Sequence, residues 1–157
     1  MHIPLQVRSI SSRGGLLTCS NFTGADLQGR DLSWTDFSGS SFRGANLSNA
    51  NLSGTALRNV DLRGANLSQA ILCEVDLSEA DLTGANLSGA NLSQAHLCRT
   101  NLWNADLSNA DLSQAFLLKV NLRDAVLVNT KLETAHIRGT GFGVASIHRT
   151  PSNRDPT

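Results

Sequence analysis

The residues able to do chemistry are few, and their spacing is not that of a reactive site. His96 and His136 stand forty positions apart, and Cys73 and Cys98 twenty-five apart, with Cys19 far upstream. Metal sites built from Cys and His show short paired spacings that keep ligands within reach of one ion, and none occurs here. Serine is abundant, but no Gly-x-Ser-x-Gly elbow surrounds any of it and no general base accompanies it in sequence. Neither a Gly-x-Gly-x-x-Gly turn nor a phosphate-cradling loop with its lysine is present. No catalytic residue, cofactor or metal is therefore expected.

Composition narrows the classes further. The 157 residues suit a single domain. Thirteen basic residues balance thirteen acidic ones, aromatics make up 4% and tyrosine is absent. A nucleic-acid binder would show a basic surface with interleaved aromatics, so nucleic acid is not an expected partner. No apolar run approaches the roughly 20 residues that cross a bilayer, and zero net charge gives anionic lipid no handle, so no membrane role is expected. Three cysteines cannot all pair with one another. The first residues lack the apolar core of a secretory signal, and the expectation is a soluble, cytoplasmic protein.

What positions the side chains is a repeat. From Phe22, every fifth residue to Phe142 is Leu, Phe or Ile, at all 25 positions. Two residues before each lies a small one: 14 Ala, 5 Thr, 3 Val, 2 Ser and a single Arg, Arg30. Asp or Asn fills 16 of the 25 places between the two. A five-residue period would spiral leucines around a helix and alternate them across a straight strand. A corner in every unit resolves this. Ala and Leu, two apart, then share the inner face of a short extended stretch, and the chain bends before the next unit. Such a coil has a dry axis, with Phe22, Leu27, Leu47, Leu67, Leu87, Leu107, Leu127 and Phe142 among its core residues. Gly at many corners, such as Gly64, suits a positive φ. Gln, Asn and Glu at other corners suggest that the corners are not all one strict glycine turn.

The unit, seen cleanly in Ala85-Asn86-Leu87-Ser88-Gly89, resembles the pentapeptide-repeat family, whose consensus is A(D/N)LXX. The resemblance covers residues 17 to 147. It implies an all-β, right-handed quadrilateral β-helix with four repeats per coil, hence about six to seven coils in a rod of roughly 30 Å. Residues 1–14 are expected to form an N-terminal cap or a flexible segment, 15–148 the β-helix, and 149–157 a disordered tail. Family members that dimerise often use a hydrophobic C-terminal end; Phe142, Val144 and Ile147 are the candidates for one here, and since no amphipathic C-terminal helix follows them, a monomer or a weak homodimer is expected. Arg30, at an inward slot, is expected to escape to solvent along its stem.

On the implied twenty-residue grid, His96, Phe116 and His136 share a column. The two histidines are then separated by roughly 10 Å, too far for one metal, and are expected as two exposed groups on a solvated face. Sorted by side, net charges are zero, −2, −2 and +1. The +1 side carries Arg58, Arg99, Lys119 and Arg138 against Asp36, Asp76 and Glu79. The best surface candidate is the column holding Arg43, Arg63, Trp103 and Arg123, since Arg and Trp dominate interface hot spots. Trp34, at a corner near the N-terminal end, is the other exposed-aromatic candidate, with packing under the N-terminal segment as its plainer alternative. The expected function is a non-catalytic, rigid protein-interaction or scaffold module with an unidentified protein partner. The alternative implied by the resemblance is a DNA-mimicking modulator of a type II topoisomerase. A DNA mimic needs far denser negative charge than any side offers.

Overall fold

The computed structural model describes residues 15–143. The expected N-terminal cap, the C-terminal tail, and Val144 and Ile147 lie outside these residues. Parallel bridges link positions twenty apart along the chain, as in Asp26↔Asn46, Asn46↔Asn66 and Asn66↔Asn86. Four five-residue units therefore separate each residue from its partner on the next level.

Each unit is tied by a recurring set of backbone bonds. Asn46 N–H donates to Ala25 C=O at 2.9 Å, and Leu27 N–H donates to Asn46 C=O at 2.8 Å. At the corner, Gly29 N–H reaches Ser48 C=O at 2.9 Å, while Ala25 N–H closes its own turn on Phe22 C=O at 3.0 Å. Because a corner follows every fifth residue, little more than one residue per side stays in extended pairing. Most of the ladder is consequently isolated bridges. Among the described residues only two strands of three residues form, β1 (Phe116–Leu118) and β2 (His136–Arg138), paired in parallel. The β character is that of stacked corners rather than of conventional strands, a refinement of the all-β expectation.

The corner residues share a positive φ. Glycines such as Gly44 (φ 62°) and Gly64 (φ 63°) share the left-handed region with Asn49 (φ 59°), Glu79 (φ 62°), Gln94 (φ 60°) and Lys119 (φ 56°). As expected, the corners are not one strict glycine turn, since side chains occupy the same φ as the glycines. A side chain there costs roughly 1–2 kcal/mol of backbone strain, so the stacked hydrogen bonds must hold the corner against it.

The Asp/Asn position, where present, has a local task that braces the corner. Its side-chain oxygen accepts the N–H two residues on, as from Ser33 to Asp31 (3.1 Å), Ser88 to Asn86 (2.9 Å) and Ser108 to Asp106 (2.9 Å). This is the Asx turn, in which a short polar side chain imitates backbone. Amides also link levels, as from Asn46 Nδ2 to Asp26 Oδ1 (3.1 Å) and Asn121 Nδ2 to Asn101 Oδ1 (2.8 Å).

Inside, Phe22, Phe37 and Phe42 pack as a cluster, with Phe22 stacked on Phe42 at 4.7 Å and Phe37 edge-on to both. Below them Leu27, Leu47, Leu67, Leu87, Leu107 and Leu127 are buried in a continuous column. Each such leucine contributes about 1.5–3 kcal/mol of apolar burial. Phe142 is only partly buried, and Ile137 is 42% exposed. Both belong to the last described level, which has a described neighbour on one side only, so the core thins there. Arg30 is exposed, as its long stem allows.

Inward hydroxyls are satisfied. Thr100 Oγ1 donates to Leu77 C=O at 2.8 Å, Thr130 Oγ1 to Leu107 C=O at 2.8 Å and Ser40 Oγ to Leu17 C=O at 2.9 Å, each one level back. Among the described residues no buried side-chain nitrogen or oxygen lacks a partner, and no helix is long and apolar enough to cross a membrane.

Candidate protein-docking surface

The residue after each inward Leu or Phe begins the corner and points away from the axis. Stacking levels twenty residues apart turns this position into straight columns, and one of them carries Arg43, Arg63, Trp103 and Arg123. Thr23 and Thr83 complete it. Thr83 Oγ1 donates to Asp81 Oδ1 at 2.6 Å and accepts from Asn101 Nδ2 at 2.9 Å, so that level is polar and closed on itself.

Arg63 is fixed by Asp61. Its Nε and Nη2 donate to the two carboxylate oxygens at 2.8 and 2.6 Å, and Asp81 lies 3.8 Å away. The Arg63 hydrogen bond lowers the Asp61 pKa below its ordinary value, with further help from the charges of Arg63 and Arg43. Reciprocally, Asp61 raises the Arg63 pKa. Much of this guanidinium's hydrogen-bonding capacity is thus spent inside the protein, which the sequence column alone does not reveal.

Trp103 offers more. Its indole Nε1 donates to Asp124 Oδ2 at 3.0 Å, and Arg123 Nε lies 3.6 Å from the same oxygen. The polar edge of the ring is satisfied while 47% of the residue remains exposed. A half-exposed indole with a fixed orientation presents apolar area without a large ordering cost, the property that makes Trp an anchor at protein interfaces.

Trp34 stands in a different column, and its packing against the N-terminal segment concerns residues outside those described. Trp34 occupies a corner with φ 59° and is 56% exposed. Its ring lies over Gly54, one level on, where an added Cβ would come within 2.6 Å of the ring carbons.

His96, Phe116 and His136 are exposed as expected, but they are not independent. Their rings stack in series, His96 on Phe116 at 4.9 Å and Phe116 on His136 at 4.8 Å, with interplanar angles of 30° and 14°. The shared column was visible in the residue numbers; ring stacking needed the side-chain orientations. Among the described residues no group of His, Cys, Asp and Glu gathers as a metal site, and Cys19, Cys73 and Cys98 are free thiols. Cys73 Sγ lies 3.2 Å from Ser53 Oγ as a hydrogen-bond donor.

Comparison with known proteins agrees with this architecture. The family model described as pentapeptide repeats, in eight copies, matches segments running from residue 16 to residue 139. A pentapeptide repeat protein from Nostoc PCC 7120 shares 32% identity over 67% of this chain and 82% of its own, with a TM-score of 0.52. One from the Arabidopsis thaliana thylakoid lumen shares 27% identity over 66% and 68%, with a TM-score of 0.51. HetL, a Nostoc pentapeptide repeat protein involved in heterocyst differentiation regulation, shares 28% identity over 90% and 92%, with a TM-score of 0.45. No curated protein matches the chain in sequence. Bridges repeating every twenty residues, an inward Ala and Leu in each unit and the family match converge on a right-handed β-helical solenoid, and the chain belongs to the pentapeptide repeat family.

Proposed function

We propose that this protein is a non-catalytic, rigid interaction or scaffold module: a four-sided rod of about six to seven coils whose outer columns dock a protein partner. One observation carries the reading. Trp103 holds its indole half-exposed, pinned at one edge by Asp124, in a column shared with Arg43, Arg63 and Arg123. A surface column of this kind suits an interface that binds without rearranging the rod. The exposed, unpaired Cys19 thiol supports a reducing, cytoplasmic setting for the protein.

The test is affinity capture from a host lysate with washes of rising salt, comparing the native chain with an Arg63→Ala/Trp103→Ala variant of unchanged melting temperature. A captured protein lost from the variant is the expected result. Type II topoisomerase subunits released as salt rises would replace this reading with DNA mimicry. Equal capture by both proteins would remove the docking column.

A further inference from the structure

A different side of the rod carries a second surface. At its C-terminal end, β1 and β2 form the longest stretch of paired backbone among the described residues, so the wall there is locally flat. Phe116 and Leu118 leave the same face of β1, 42% and 40% exposed. Phe116 is held between His96 and His136 in the ring stack, so its orientation is set before any partner arrives. Beside it is a shallow depression of about 390 Å³ lined by Gln94, Gln114, Phe116, Thr134 and His136.

Over its last three levels this wall carries cations only, while Asp36, Asp76 and Glu79 stand on earlier levels of the same side. Arg99 and Lys119 stand along one edge of the apolar shelf, Arg138 sits next to Leu118 on the following level, and residues 94–99, 114–119 and 134–139 contain no carboxylate. Arg99 reaches Glu79 on the level above at 3.3 Å, both side chains being exposed. Among the described residues no ion pair engages Lys119 or Arg138. The Lys119 stem lies over Gly139, where an added Cβ would come within 3.4 Å of its Cγ. The base of the lysine stem is therefore laid along the wall.

We infer that this wall binds an acidic peptide segment: an apolar or aromatic side chain rests on Phe116 and Leu118 while flanking carboxylates meet Lys119, Arg138 and Arg99. Charge complementarity selects the occupant. With Arg99 shared with Glu79 and Lys119 and Arg138 outside any ion pair among the described residues, the last three levels are net positive and disfavour a basic partner, while the exposed shelf supplies the apolar contact that charge alone lacks. The Gln94 and Gln114 amides on the opposite edge can donate to and accept from a peptide backbone. Three cations over three levels are too sparse to follow a polynucleotide backbone, whose charges are far more closely spaced. The inference rests on the reading of the chain as an interaction module, but uses a side distinct from the Trp103 column.

The experiment is fluorescence anisotropy on the full chain with a labelled Asp-Glu-Asp-Trp-Glu-Asp-Glu peptide. Binding is expected to weaken about tenfold or more with Phe116→Ala, with Lys119→Glu/Arg138→Glu, and with a probe whose Trp is replaced by Ser. The Arg63→Ala/Trp103→Ala variant is expected to bind as the native chain does, which separates this wall from the column tested by lysate capture. Phe116 and the two cations are exposed, and melting curves check that each variant keeps its fold. No binding up to about 1 mM peptide would overturn the inference. So would equal loss in the column variant, or tighter binding of a labelled oligothymidylate. Self-association abolished by Phe116→Ala, with the peptide unbound, would make the occupant a second copy and overturn it as well.

Discussion

Trp34 covers Gly54: the corner glycine of one level lies beneath the indole of the corner twenty residues earlier, and an added Cβ at Gly54 would fall 2.6 Å from two ring carbons. At Gly64, with nearly the same φ, an added Cβ meets nothing within 4 Å. Gly54→Ala and Gly64→Ala therefore share backbone strain but differ in contact. Gly64→Ala should destabilise by roughly 1–2 kcal/mol. Gly54→Ala should cost more, and should also move the indole. In a Trp103→Phe background, Trp34 emission reports that movement directly. Equal losses in chemical denaturation, with unchanged emission, would refute the packing of Trp34 on Gly54.

The inward hydroxyls give an internal test of hydrogen bonding. Thr100 is buried and donates to Leu77 C=O at 2.8 Å. Val60, Val75 and Val120 fill the equivalent slot elsewhere, so a branched apolar side chain fits there. Thr100→Val should thus preserve packing and remove only the inter-level bond, a loss of about 1 kcal/mol. Thr130→Val should do the same through Leu107 C=O. Denaturation midpoints equal to the native chain's would show that the bond adds nothing net.

These two cases mark where sequence reasoning reached and where it stopped. Ala85 and Leu87 could be placed inside from spacing alone, because a side chain's direction follows from extended backbone and a regular corner. The corners' shared positive φ could not. Glycine-rich and glycine-free corners look like different turns until the stacked backbone bonds are seen to hold Gln94 and Lys119 at the same positive φ as Gly64. Asn86 was legible as a recurring residue type, but its acceptance of the Ser88 N–H is a matter of rotamer. The surface was least legible. Residue numbers put Arg63 and Trp103 in one column and His96 with Phe116 in another, yet whether a side chain is spent on a neighbour, as Arg63 is on Asp61, depends on distances that spacing does not contain. Ile137 obeyed the repeat and still emerged exposed, because burial belongs to the stack of levels rather than to the unit.

The Arg63–Asp61 pair predicts a pH dependence with a definite sign. Arg63's hydrogen bond, the largest cause, lowers the Asp61 pKa from its ordinary value of 3.8. A carboxyl whose folded pKa is lowered adds stability above the unfolded value and loses it as pH falls through the folded one. The stability difference between the native chain and Arg63→Gln should be complete at neutral pH. It should shrink as pH drops below 3.8 and vanish once Asp61 is protonated. Carbon-detected NMR titration should show Asp61 returning toward its ordinary pKa in Arg63→Gln, while Asp111, shifted chiefly by Ser113, stays where it was. Both side chains reach solvent, so added salt should reduce the difference at neutral pH as screening weakens the charge attraction. A difference that persists unchanged into acid would mean that Arg63 stabilises the rod through the packing of its stem and not through Asp61.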